Sequence, residues 1–326
     1  MLNKFKKLPQ VLWDFIEAEQ PSWPLAFFRI GLGSICMGKM IALHSSFTEL
    51  YGQYGFIQWT ISKFSNYSFL PHLGDLSVLL TNNLGTSSDN STLLLLYLYF
   101  ILCTMLIAGL FTRFTTIALF FLHLAFINTG SAVIYGVDVF TQMSLFYGIF
   151  FPLGSAYALD NKIGITPFRK RSAGAGMALR CIQIQMCLVY FSTAIEKSMG
   201  IQWWNGEAIW RTFMMPIFKT YDFSWLANHS WIAIVTGIFV LILEAGYSIA
   251  MWIPKLRVVC FFLITLLHLQ ISVLMGMWFF GFVMIFLSSF AFGLYILKDL
   301  SPILYIISRR IKSTRAARTV PRIAES

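Results

Sequence analysis

Ionisable side chains lie inside otherwise apolar stretches of this sequence, among them Arg29, Lys39, Asp138, Lys197, Glu244 and His268. Hydrocarbon penalises each one unless it finds a partner, so each marks a candidate functional position. Lys197 shares a helical face with Gln183, Tyr190 and Thr193 by 3.6-residue spacing, and His268 shares another with Thr265 and Ser272. Two polar stripes on separate helices point to a common interior cavity. Removal from water penalises an ammonium at Lys197 and favours a neutral amine that can act as a base. A neutral His268 could orient an intermediate or relay a proton. Quieter roles fit the same residues. Lys197 could snorkel to outer headgroups, and Arg29 and Lys39 could snorkel or hold structural pairs. Glu244 could close a buried ion pair or a hydrogen bond to a neighbouring helix, and His268 could be a satisfied interhelical hydrogen-bonder.

The elements that must position these groups are written in the hydropathy. With 57% hydrophobic residues, 12% charged residues and a mean hydropathy of +0.70, the chain cannot make a water-soluble surface. Apolar runs long enough to cross a hydrocarbon core cover about 24–44, 91–111, 114–134, 138–158, 179–199, 231–253, 257–276 and 278–297. The expected fold class is all-α, a polytopic transmembrane helix bundle of about eight spans, with seven or nine as neighbouring counts. Lysine and arginine gather before the first span, at Arg113, in the segment from Lys162 to Arg180, at Lys255 and Arg257, and from Arg309 to Arg322. Every second connection is therefore basic, which puts both termini in the cytoplasm and the 45–90 and 200–230 loops outside. Residues 1–23 are then a cytoplasmic segment, 24–297 the transmembrane domain and 298–326 a basic cytoplasmic tail. Counting along the helices puts Lys197 about 25 Å from the cytoplasmic face, with His268 and Glu244 near the midplane.

The net charge of +10 follows from these connections. No basic stripe interleaved with aromatic residues accompanies it, so nucleic acid is not an expected partner and membrane lipid is. The five cysteines fall in apolar runs without a C-x-x-C pair or a histidine cluster, which argues against a disulfide framework or a metal site. Both large outer loops are aromatic, with Tyr51, Tyr54, Phe56 and Trp59 in one and Trp203, Trp204, Trp210, Phe213 and Trp225 among those in the other. An interfacial belt and a substrate groove both fit that composition.

The run Tyr190-Phe191-Ser192-Thr193-Ala194-Ile195-Glu196-Lys197, followed by Trp203-Trp204-Asn205-Gly206-Glu207-Ala208, resembles the signature of the HTTM family. That is the membrane domain shared with vitamin K-dependent gamma-carboxylase. His268-Leu269-Gln270 with the Met275 to Met284 run resembles the family's histidine-bearing helix. Arg29 and Gly31, Leu50-Tyr51 to Gly55, and Tyr135-Gly136-Val137-Asp138 fit it more loosely. The likeness covers most of residues 20–297. It implies that Lys197 is the base that starts oxygenation of a reduced, vitamin K-like quinone and that His268 is a further active-site residue. Glu196-Lys197 stands where the carboxylase has two lysines, and Ser131 or its neighbours stand where it has a histidine.

Three functional readings follow from the residues and the resemblance together. The first is a quinone-linked enzyme in the membrane, the plasma membrane in a bacterium, that modifies an exported peptide or small molecule. Lys197 and His268 would be catalytic, and Tyr190, Thr193, Ser272 and Trp204 would hold the cofactor. Arg29, Asp138 and Glu244 are structural or functional intramembrane charges in this reading. The second is a non-catalytic maturation or export factor for a secreted peptide, and the third is a small-solute transporter.

Overall fold

Prolines, short polar caps and glycines cut the apolar sequence into helices, which the computed structural model assembles into an all-α polytopic bundle. It describes residues 10, 13–65, 69–130, 133–218 and 221–318. Ser131, the lysines before residue 10 and the last part of the basic tail lie outside the described residues. The main elements in chain order are β1 (Gln20–Pro21), α1 (Trp23–Leu43), α2 (Phe47–Tyr51), α3 (Trp59–Ser65), α4 (Leu73–Leu84), α5 (Ser88–Ala108), α6 (Thr112–Thr129) and α7 (Gly136–Phe150). They continue with α8 (Leu159–Lys162), β2 (Arg171–Ser172), α9 (Ala173–Ser198), α10 (Ile201–Trp204), α11 (Glu207–Met214), α12 (Ser230–Ala250), α13 (Pro254–Met275) and α14 (Trp278–Arg318).

Local chemistry accounts for the boundaries. Pro24 and Pro254 occupy first turns, where a missing N–H costs nothing. The Ser172 hydroxyl accepts from Ala175 N at 3.1 Å and caps α9. The Asp160 carboxylate caps α6 by accepting from Phe111 N at 2.6 Å and Thr112 N at 2.9 Å. Among the described residues six helices are long and apolar enough to cross a membrane: α1 with its continuation to Tyr51, α5, α9, α12, α13 and α14 as far as Pro302. The third and fourth expected spans are shorter than hydropathy suggested, at 18 residues in α6 and 15 in α7. Pro152 stops α7 before residue 158, because it lacks an N–H and fixes φ. Both still pack in the bundle, α7 lying against α1, α6 and α14. Two further boundaries differ from expectation. The 45–90 segment, read as a loop, folds into α2, α3 and α4, and α14 runs past the expected span end at 297, through Pro302 to Arg318.

The two-residue ladder between β1 and β2 pairs Gln20 with Ser172 and Pro21 with Arg171, so α1 and α9 start at the same end of the bundle. That end also holds the starts of α6 and α13 and carries Arg113, Arg169 and Lys255; we call it the basic end. The opposite, aromatic end holds α2–α4, α10 and α11. Hydrophobic driving force between helices is weak in lipid, so close packing and polar contacts must hold them together. Phe28 packs its ring against Phe286 and Phe290, 5.8 and 4.7 Å between centroids, and joins α1 to α14. At Gly281 a Cβ would overlap the Ser272 hydroxyl and the His268 carbonyl, which makes this the tight crossing of α13 and α14. At the aromatic end His72 caps α4 by accepting from Gly74 N at 2.9 Å, while its other nitrogen meets the Ser62 hydroxyl at 2.9 Å. Burial, reinforced by the charge of Lys63, pushes its imidazole down to about 4.

Candidate functional site

Lys197 stands one residue before the end of α9, and Glu244 lies in the second half of the antiparallel α12. In a helix each Cα–Cβ bond tilts toward the N-terminus. The Lys197 side chain therefore leans back toward the bundle centre while Glu244 leans toward the aromatic end, and the two meet. Lys197 Nζ donates to Glu244 Oε1 at 2.6 Å and to Oε2 at 2.8 Å. Thr193 adds a long contact to Oε2 at 3.4 Å. The carboxylate is the more enclosed partner, its side chain 7% exposed against 26% for Lys197. The ammonium also lies 4.8 Å from the centre of the Trp203 ring, within cation–π range.

This pair forms the charged wall of a cavity of about 380 Å³ between α9, α11, α12 and α13. The remaining walls are mostly aromatic and aliphatic, with Trp203, Phe213, Phe223 and Trp225 from the 200–228 segment facing Phe280 and Leu267 from the bundle. Thr212, Thr236 and Gln270 are the polar groups besides the ion pair. An apolar pocket of this size with a few converging polar groups has the makeup of a small-molecule site. It suits a flat, largely apolar guest that turns one acidic or hydrogen-bonding edge toward Lys197 and Glu244.

His268 belongs to a different layer. Its Nε2 lies 2.8 Å from the Tyr190 hydroxyl, and its Nδ1 is buried without a partner. Tyr190 stacks near Tyr247, 4.2 Å between centroids, and Ser272 donates to the His268 carbonyl at 2.9 Å. None of His268, Tyr190 and Ser272 lines the cavity; Phe280 does, and its ring centre is 5.8 Å from the imidazole. Of the residues read from sequence as cofactor contacts, Thr193 touches the ion pair. Trp204 is turned away from the cavity: it lines a shallow groove with Phe191 and Ile195, and its Nε1 donates to the Ser198 carbonyl at 2.8 Å. Neighbours in a one-turn helix point about 100° apart, so Trp203 rather than Trp204 covers the lysine. The lid could have been read from α11, where Ile209, Thr212 and Phe213 recur at i, i+3 and i+4.

The other intramembrane charges have structural partners. Arg29 donates to the Leu153 carbonyl at 3.2 Å and the Tyr157 carbonyl at 2.8 Å and so ties α1 to the loop after α7. Lys39 pairs with Asp138, both buried, and Asp138 also accepts from Tyr135 N at 3.0 Å. Beside them the Tyr99 hydroxyl meets His123 Nδ1 at 2.8 Å. Among the described residues no group of three or more His, Cys, Asp or Glu side chains could hold a metal ion, and the five cysteines are unpaired. No family model, no curated protein and no solved structure matches the chain.

Proposed function

We propose that the protein is an HTTM-type membrane enzyme of eight spans, with the basic end cytoplasmic and the cavity on the outer side. It uses the Lys197–Glu244 pair to move a proton during modification of an exported peptide or small molecule. The observation that carries this reading is the pair itself, an acid and a base in hydrogen-bond contact on the wall of an apolar cavity. The cavity's size, its aromatic walls and its single charged edge suit a reduced quinone, which when bound supplies an acidic hydroxyl on a redox-active ring. The pairing changes the division of labour expected from sequence. Lys197 is not an isolated amine: deprotonating it would leave the Glu244 carboxylate buried without a counter-charge. Glu244 is the group that accepts the proton, and Lys197 holds its ammonium against the oxygen that has lost it. Thr193 and Trp203 keep Lys197 and Glu244 in register, and the aromatic lid excludes water. His268, bonded to Tyr190 behind the cavity wall, is a positioning residue in this scheme.

Mass spectrometry of the lipid extract from gently purified protein tests the proposal. The expected result is about one quinone per chain, lost when Thr236→Trp fills the cavity. No quinone after supplementation would overturn it. That outcome would favour the second reading, a non-catalytic maturation factor that holds a secreted peptide in the same cavity. The observation on its side is that the two charged groups of the cavity, Lys197 and Glu244, already satisfy one another.

A further inference from the structure

A second pocket, of about 360 Å³, opens at the basic end, across the bundle from the Lys197 cavity. The loop after α7, the start of α6 and the start of α9 enclose it. Arg113 and Arg169 are among its lining residues, both exposed and without a carboxylate partner among the described residues. Gly174, in the first turn of the 26-residue α9, lies on the same wall. The first N–H groups of a helix have no intrahelical acceptor and carry the positive end of its dipole. Gly174 also keeps that turn close to the loop, since a Cβ there would come within 2.9 Å of Pro152.

A further observation asks for a ligand. Ser155, another lining residue, is 6% exposed, and its buried hydroxyl has no hydrogen-bond partner. A buried hydroxyl is rarely left unpaired in a finished core. The carboxylate beside the pocket, Asp160, is fully engaged by Phe111 N, Thr112 N and the Thr112 hydroxyl and is 1% exposed. We infer that this pocket binds a phosphate ester, held by Arg113 and Arg169 against the start of α9 with Ser155 as a further hydrogen-bond donor. Two arginines and a helix N-terminus are the donors that phosphate oxygens select. An anionic phospholipid headgroup and a soluble organic phosphate present that same chemistry.

The two sources separate by native mass spectrometry of the full-length protein in detergent, titrated in one arm with phosphatidylglycerol and in the other with glycerol 3-phosphate. Saturable binding of one molecule per chain is expected. A lipid source gives binding of phosphatidylglycerol but not phosphatidylcholine, and a soluble source gives binding of glycerol 3-phosphate alone. Arg113→Gln/Arg169→Gln should weaken whichever probe binds by about tenfold or more, and Ser155→Ala should weaken it less. The charge-matched control Lys162→Gln/Lys170→Gln, on the same segment but outside the pocket, should bind as the unaltered protein does. Equal losses in the two double variants would reduce the effect to diffuse surface charge and overturn the inference. So would full binding by the arginine variant, or no saturable binding of either probe.

Discussion

Glu244→Gln and Lys197→Met remove opposite halves of the same ion pair, and the exposures of the two partners predict unequal costs. With Glu244 neutral, the Lys197 ammonium loses its counter-charge but keeps 26% of its side chain exposed, so it can turn toward water or headgroups. A loss of about 1.5 kcal/mol is expected, below the range of about 3–5 kcal/mol for fully buried pairs. With Lys197 replaced, the Glu244 charge stays where its side chain is only 7% exposed, and the cost rises to about 2.5 kcal/mol. The double variant has no charge left to strand and should fall within about 1 kcal/mol of the unaltered protein. The coupling from the cycle is then about 3 kcal/mol, at the upper end for residues in direct contact. Reversible unfolding in mixed detergent and dodecyl sulfate micelles at pH 7, followed by far-ultraviolet circular dichroism, measures all four proteins. Additive single effects, or a larger loss in Glu244→Gln than in Lys197→Met, would refute the reasoning.

Three other outcomes follow from the geometry. Because the His72 imidazole sits at about 4 in the fold against about 6.5 unfolded, its contribution is complete above 6.5 and is lost as pH falls through 4. Amide-exchange protection at the start of α4 should drop over that window, by up to about 3 kcal/mol, and stay flat in His72→Asn, which keeps a cap without titrating. Gly281→Val should cost about 2 kcal/mol or more in the micelle unfolding assay by forcing α13 from α14, whereas Gly293→Ala, whose Cβ meets nothing within 4 Å, should be neutral. Trp203→Ala should weaken binding of 1-naphthol, a phenolic stand-in for the guest, by about tenfold, and Trp204→Ala by less than about twofold, as read by naphthol fluorescence.

Much of this arrangement was legible in the sequence because a membrane makes polarity informative. Arg113, Arg169 and Lys255, read from sequence on every second connection, lie at one end of the bundle, and the cost of a charge in hydrocarbon drew attention to Lys197, Glu244 and His268. Partnership was not legible. Periodicity gives the face of a helix but neither its rotation against a distant helix nor the lean of a long side chain. Depth counting along the axes therefore set Lys197 and Glu244 apart, although their side chains meet. The same blindness hid the bond between Tyr190 and His268, 78 residues apart. Trp204 stood out in sequence as a cofactor contact, but the geometry of α10 puts Trp203 on the cavity wall and Trp204 on an outer groove. The length of α7 was misjudged because hydropathy runs through Pro152, whose backbone chemistry ends the helix there.

The claim that Glu244 and Lys197 take a proton from a guest hydroxyl is tested most directly by the ionisation state of 1-naphthol bound in the cavity. It has the acidic hydroxyl of a reduced quinone without its second one, and its absorption shifts to longer wavelength on ionisation. At pH 7 the unaltered protein is expected to bind it in the ionised form, and Lys197→Met/Glu244→Gln to bind it only as the neutral phenol. A neutral bound form in the unaltered protein, or the same spectrum in both, would contradict the account.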